Sequence, residues 1–135
     1  MAKRRLPKLV ASSARPGSPF KARHAGDDYG AHGQPDWREV NWRPHLRQLD
    51  VDGTTVNLVD YGEGSPDLHP VVMIHGLGGC WQNWLENVPR MAAEGRRVIA
   101  LDLPGFGYSD MPREEISISG YGRCVNAVCD ELDLG

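Results

Sequence analysis

Apolar and polar positions change their spacing along the chain, and the changes mark out its elements. Leu46–Val51 and Thr55–Tyr61 are short β-type runs joined across Asp52-Gly53, a dipeptide that favours the positive φ values of a type I′ turn. The pair therefore reads as a β-hairpin, followed by a loop over Tyr61-Gly62-Glu63-Gly64-Ser65-Pro66. Val71-Val72-Met73-Ile74 shows no alternation and is apolar throughout, as a strand covered on both faces of a parallel sheet must be. Val98-Ile99-Ala100-Leu101 repeats that pattern and ends in Asp102. Between the two, Trp81, Trp84, Leu85, Val88, Met91 and Ala92 fall on one helical face. Pro89 splits that stretch into two short helices, and Gly95 stops it. Strand, helix, strand is a βαβ unit with an expected right-handed crossover. A last helix spans Ser117 to Leu134, with Tyr121, Cys124, Val125, Val128 and Leu132 on its inner face. Ser117 or Ser119 caps it without a capping box, and Gly135 sits where a C′ glycine would.

Composition fits this α/β reading after residue 46 and departs from it before. The formal net charge of −3 conceals two regimes: residues 1–26 carry seven Lys/Arg and no acid, leaving a net −10 on 27–135. The first part of the chain joins that charge to Pro7, Pro16, Pro19 and Pro35, with too little apolar bulk to offset the entropy of ordering. Residues 1–45 are thus expected to be a disordered basic arm plus a lead-in, in which Trp37, Trp42 and Pro44 pack on the domain edge. Residues 46–135 form the folded part. The arm is a solvated tail or, more weakly, a contact for an anionic partner such as nucleic acid or a membrane surface over 1–26. It lacks the aromatics of a single-strand stacking platform.

Several classes are excluded on composition. No run of 18 apolar residues exists for a transmembrane helix. Leu6–Val10, broken by Pro7 and Lys8, is too short for the apolar part of a secretory signal, which points to a reducing, cytoplasmic setting. Three cysteines without a C-x-x-C imply neither a disulfide framework nor a zinc cluster, so no metal and no cofactor are expected.

The chemistry lies in two loops. His75-Gly76-Leu77-Gly78-Gly79 directly follows a buried strand, where a glycine turn can aim backbone N–H groups into a crevice. Those donors suit a phosphate or an oxyanion. The dinucleotide fingerprint fails, because Trp81 stands where Gly or Ala is required; Gly105-Phe106-Gly107 fails likewise at Asp110. Taken with Trp84, Val98–Leu101 and Asp102-Leu103-Pro104-Gly105-Phe106-Gly107-Tyr108-Ser109 in this order, the chain resembles the N-terminal half of an α/β-hydrolase, a group that includes esterases, epoxide hydrolases and dehalogenases. The resemblance covers residues 46–135.

That resemblance implies an incomplete α/β-hydrolase sheet and gives roles to residues. The Leu77 N–H, with Gly78 beside it, would form part of an oxyanion hole. His75 would hold the loop, with Gly76 and Gly79 shaping it. Asp102, Pro104, Gly105, Gly107 and Ser109 would form the adjoining wall, with Asp102 as an anchor and not the triad acid. Trp81 and Trp84 would be core. The family's nucleophile stands in G-x-S-x-G, or with Asp for Ser, and no such motif occurs. Gly107-Tyr108-Ser109-Asp110-Met111 has Met at the last place and follows the wrong strand. His24, His32, His45 and His69 all precede the glycine loop, so none takes the base position, and Cys80 has no identifiable base. No catalytic residue is therefore assigned. The expected reading is a fragment truncated before the nucleophile strand, inactive alone, whose completed form would act on a small apolar ester-like substrate. In the family's sheet the strand Val71–Ile74 would lie against the missing one, so its open edge invites association. The alternative is a non-catalytic binding or regulatory fragment working through the basic arm.

Overall fold

The computed structural model describes residues 35–135. The expectations for the basic stretch 1–26, and for the rest of the arm up to residue 34, lie outside the described residues.

Strand β1 (Leu46–Val51) and strand β2 (Thr54–Tyr61) pair antiparallel through six residues, Leu46 opposite Val59 and Val51 opposite Thr54. The turn between them is two residues long, with Asp52 at φ 51° and Gly53 at φ 77°, the two positive angles of a type I′ turn. Asp50 Oδ1 accepts the Gly53 N–H at 2.7 Å and holds the turn closed. Strand β3 (Val71–Ile74) and strand β4 (Val98–Leu101) are parallel, and β4 also pairs antiparallel with β2. The result is a mixed four-stranded sheet in the order β1-β2-β4-β3.

Burial follows that order. All four residues of β4 are buried, because it has a strand on each side and helices on both faces. Ile99 and Leu101 turn to one face with Val51, Val56 and Leu58; there they meet Val128 of helix α2 (Ile118–Glu131) and Leu132, its C-cap residue. Val98 and Ala100 turn to the other face with Val59 and Met73, against Trp81 and Val88. Strand β3 is less covered than an interior strand would be. Only Met73 is buried, and Ile74 remains 45% exposed, since β3 has no neighbour on its outer side among the described residues.

The stretch after the glycine loop forms two short helices, a 3-10 turn at Trp81–Trp84 and helix α1 (Asn87–Ala93). The break falls at Leu85–Glu86 and not at Pro89. Pro89 is instead the third residue of α1, in the first turn, where its missing N–H removes no helical bond. Gly95, at φ 90°, closes α1 with its N–H on Ala92 O at 2.9 Å and that of Arg96 on Met91 O at 3.4 Å, a Schellman arrangement. Helix α2 is capped by Ser117, whose hydroxyl accepts the Gly120 N–H at 3.0 Å. Its C′ position is taken by Asp133, at φ 52°, and not by Gly135. The Asp133 N–H reaches Asp130 O and that of Leu134 reaches Cys129 O, so the helix stops two residues earlier than the glycine suggests.

Three further contacts lock the sheet at the end away from the glycine loop. Asp60 accepts from Arg97 at 2.8 and 2.9 Å and from Arg47 at 2.6 Å, while Arg97 also donates to Leu132 O at 3.2 Å. The lead-in packs as its aromatics suggest: the Trp42 ring lies 5.7 Å from Tyr61 and 5.3 Å from Trp81.

Candidate active site

Both glycine-bearing loops leave the C-terminal ends of parallel strands, β3 running into His75 and β4 into Asp102. His75 is 4% exposed and uses both ring nitrogens on backbone: Nε2 accepts the Leu103 N–H at 2.9 Å, and Nδ1 sits 2.7 Å from Gly76 O. Because Nε2 accepts, the ring proton resides on Nδ1 and donates to that carbonyl. Its ring stands edge-on to Phe106 at 5.3 Å. A histidine so engaged ties one loop to the other and has no nitrogen left to take a proton from a nucleophile.

Next in the chain the backbone turns sharply, the Gly79 N–H donating to Gly76 O at 3.0 Å. Gly78 sits at φ 74°. A Cβ at Gly79 would come within about 3 Å of His75 Cβ, Gly76 O and Asn83 Oδ1, so a larger residue would have to push these neighbours aside. The Leu77 and Gly78 N–H groups donate to no acceptor among the described residues, and the Leu77 side chain is 98% exposed. Cys80 N–H is held by Asn83 Oδ1 at 2.8 Å.

The second loop is built around Asp102, which is fully buried. Its carboxyl accepts the Trp81 N–H at 2.6 Å, the Asn57 Nδ2 at 2.9 Å and the Tyr108 N–H at 3.0 Å. Its carbonyl accepts the Ser109 hydroxyl at 2.7 Å, and Ser109 Oγ in turn accepts the Asn57 N–H at 2.9 Å. Gly107, at φ 52°, lies so close that a Cβ would overlap the Asp102 carboxyl. Gly105, at φ 89°, donates to Asp110 O, and Pro104 is buried behind it. Asp110 closes the loop onto β2, its carboxylate accepting the Thr55 N–H at 3.0 Å; that bond holds its pKa below the usual carboxylate value.

Of the residues singled out by sequence, Trp81 is buried in the core and Trp84 packs against it. Cys124 and Cys129 are free thiols whose pKa is raised, chiefly by burial, which disfavours the nucleophilic thiolate. Ser109 has its hydroxyl committed to backbone. Among the described residues no group of His, Cys, Asp and Glu is arranged to hold a metal ion, and no helix is long and apolar enough to cross a membrane. Sequence reasoning passed over Asn57. Its one signal is a polar residue inside a run, Val56 to Val59, that is otherwise entirely apolar and buried.

A parallel strand that ends in a glycine turn with unpaired amides, on a mixed sheet covered by helices on both faces, defines an α/β scaffold of the type that binds ligands at strand C-termini. Comparison narrows the class. Residues 69–135 match the alpha/beta hydrolase fold family. It is 47% identical over 92 residues to a dihydrolipoyllysine-residue acetyltransferase component of the acetoin cleaving system from Pseudomonas putida, an alignment covering 67% of this chain and 24% of that protein. Identity to a haloalkane dehalogenase from Psychrobacter cryohalolentis is 38% over 100 residues, covering 71% of this chain and 33% of the relative. Among solved structures, an epoxide hydrolase from Vigna radiata superimposes with a TM-score of 0.60 at 26% identity, over 67% of this chain and 29% of the other. The chain thus spans between about a quarter and a third of the length of these relatives.

Proposed function

We propose that residues 46–135 are the N-terminal part of an α/β-hydrolase domain that cleaves an ester or similar bond by nucleophilic attack, with the His75–Gly79 loop as its oxyanion hole. The observation that carries this reading is the pair of unengaged N–H groups at Leu77 and Gly78, held on a turn that His75 and Gly79 make rigid. Fixed amide donors aimed at a developing oxyanion contribute to the rate because they need no reorganisation during attack. The 98% exposed Leu77 side chain and the 73% exposed Tyr108 would offer apolar wall to a small, largely apolar substrate. Three free thiols agree with a reducing, cytoplasmic setting.

On this reading the 135-residue chain by itself turns over nothing, because it holds no G-x-S-x-G, no base after the glycine loop and no triad acid. Hydrolysis of a p-nitrophenyl ester by the purified chain should equal the buffer blank. A rate that Cys80→Ala abolishes would overturn the mechanism and make Cys80 the nucleophile. The fragment reading is tested by the DNA downstream of codon 135, which should encode a strand followed by G-x-S-x-G or G-x-D-x-G. In a polypeptide completed that way, Leu77→Pro removes one oxyanion donor and should lower kcat by about 100- to 1,000-fold with little change in KM.

The charge segregation favours one second reading, a non-catalytic fragment whose basic residues 1–26 contact nucleic acid or an anionic membrane. It requires binding that falls steeply with salt and disappears on deleting those residues.

A further inference from the structure

Asn57 stands at the centre of a closed hydrogen-bonded ring that no part of the segment 69–135 explains by itself. It is 5% exposed, on the face of β2 that carries Val59 into the core beneath Trp81. Its side chain donates to Asp102 Oδ2 at 2.9 Å, its N–H to Ser109 Oγ at 2.9 Å, and its carbonyl accepts the Asp102 N–H at 2.9 Å. The other oxygen of the same carboxyl takes the Trp81 N–H at 2.6 Å. Trp81 follows the glycine loop by two residues, so the loop is gripped at both ends. His75 fixes its start through Leu103, and Asp102 fixes its exit through Trp81.

We propose that Asn57 is a positioning residue for the oxyanion loop, setting the place of the Leu77 and Gly78 amides through Asp102 and the Trp81 N–H; this rests on the oxyanion reading of that loop. The physical argument is one of donor supply. A buried carboxyl has four lone-pair sites to satisfy and no water to satisfy them. Two of the three donors on Asp102 are backbone amides of the very loops it positions, Trp81 and Tyr108. Only the Asn57 amide comes from a different element, a sheet strand, and so ties the carboxyl to a rigid reference. Removing it leaves the Asp102 carboxyl held only by the loops it is meant to place, with the backbone bond from Asp102 N–H to Asn57 O as the remaining tie to β2.

The test uses backbone amide signals of the whole chain by NMR, with hydrogen exchange, in wild type, Asn57→Leu and Asn57→Asp. In Asn57→Leu, Trp81 and Tyr108 should exchange about 10-fold or more faster, as expected when a buried carboxyl loses a donor. Leu77 and Gly78 shifts should move, while the Leu132 amide, bonded within α2 to Val128 O, keeps its protection. In Asn57→Asp a second carboxyl faces that of Asp102, and with both ionised they repel and displace the loop. Lowering the pH puts a proton on one of the pair and lets the new side chain donate again, and the Leu77 and Gly78 signals should return to the wild-type positions recorded at the same pH. Asp110 at Thr55 and His75 at Leu103 are the other titratable groups beside this network, so wild type is titrated in parallel. Unmoved Leu77 and Gly78 in Asn57→Leu, an equal loss of protection at Leu132, or no acid recovery in Asn57→Asp would each overturn the proposal. Should Asn57→Leu fail to fold, the acid recovery of Asn57→Asp decides alone. No substrate enters these measurements, so they succeed or fail apart from the oxyanion reading, which the kinetics of Leu77→Pro judge.

Discussion

At the scale of single residues the most constrained position is Gly107. It combines a positive φ with a Cβ direction that points into the Asp102 carboxyl. Gly107→Ala must both strain the backbone and push the carboxyl off its donors, at a cost of about 2 kcal/mol or more. Urea unfolding should show this loss, and it should exceed that of Gly122→Ala, where a Cβ meets nothing within 4 Å. Glycines of this kind are legible in sequence as motif letters, since Gly105, Gly107, Gly76 and Gly79 stand in recognisable spacings. What they surround is not. Asn57 is separated from Asp102 by 45 residues, and nothing local in the sequence says that a lone polar residue in a strand reaches a carboxyl on another.

Among the elements, the two helix ends solve one problem with different residues. Gly95 and Asp133 both occupy a left-handed C′ position, and both complete a Schellman pair of hydrogen bonds. Glycine takes that conformation freely, whereas aspartate is strained in it. Gly95→Ala should therefore cost about 1 kcal/mol, and Asp133→Gly should gain up to about 1 kcal/mol, both read from thermal unfolding. The four strands, the two α-helices and the 3-10 turn at Trp81–Trp84 are legible from periodicity, because burial on one or two faces imposes the spacing directly; the 3-10 turns Trp37–Glu39 and Arg43–His45 of the lead-in bury nothing and leave no such spacing. The ends are less legible. Gly135 attracts the stop of α2 on propensity, yet the left-handed turn falls at Asp133, and Leu134 packs against the core from beyond the helix. Pro89 misleads similarly, since a proline breaks a helix only from the interior and here it stands in the first turn.

Across the whole molecule, Asp60 joins β1, β2 and the start of β4, and through Arg97 the end of α2. Burial pushes its pKa up, but hydrogen bonds from Arg97 and then Arg47 outweigh that and leave it below the ordinary value. A carboxylate with a lowered folded pKa adds stability above the unfolded value, about 3.9, and loses it as pH falls through the folded one. Wild type should lose more stability than Asp60→Asn between pH 5 and pH 2 in parallel urea titrations, and Asp60→Asn should be weaker by about 2 kcal/mol at pH 7. The sheet order is legible in sequence only in part: that Val71–Ile74 would lack an outer neighbour follows from the family's sheet, while the half-exposure of Ile74 depends on how the helices cover β3. Light scattering on the purified chain should report species larger than a monomer, and Ile74→Lys should shift them toward monomer by placing a charge on that edge. The two borders of the sheet are thereby unlike. Along β1 the exposed Arg47, Gln48 and Asp50 surround the outer strand with polar groups, whereas β3 presents valines, a methionine and an isoleucine. On the proposed reading the sheet would grow in one direction, a further strand adding beside β3 and not beside β1. Its neighbour there is the strand that delivers the glycine loop, so any strand added would arrive beside Leu77 and Gly78.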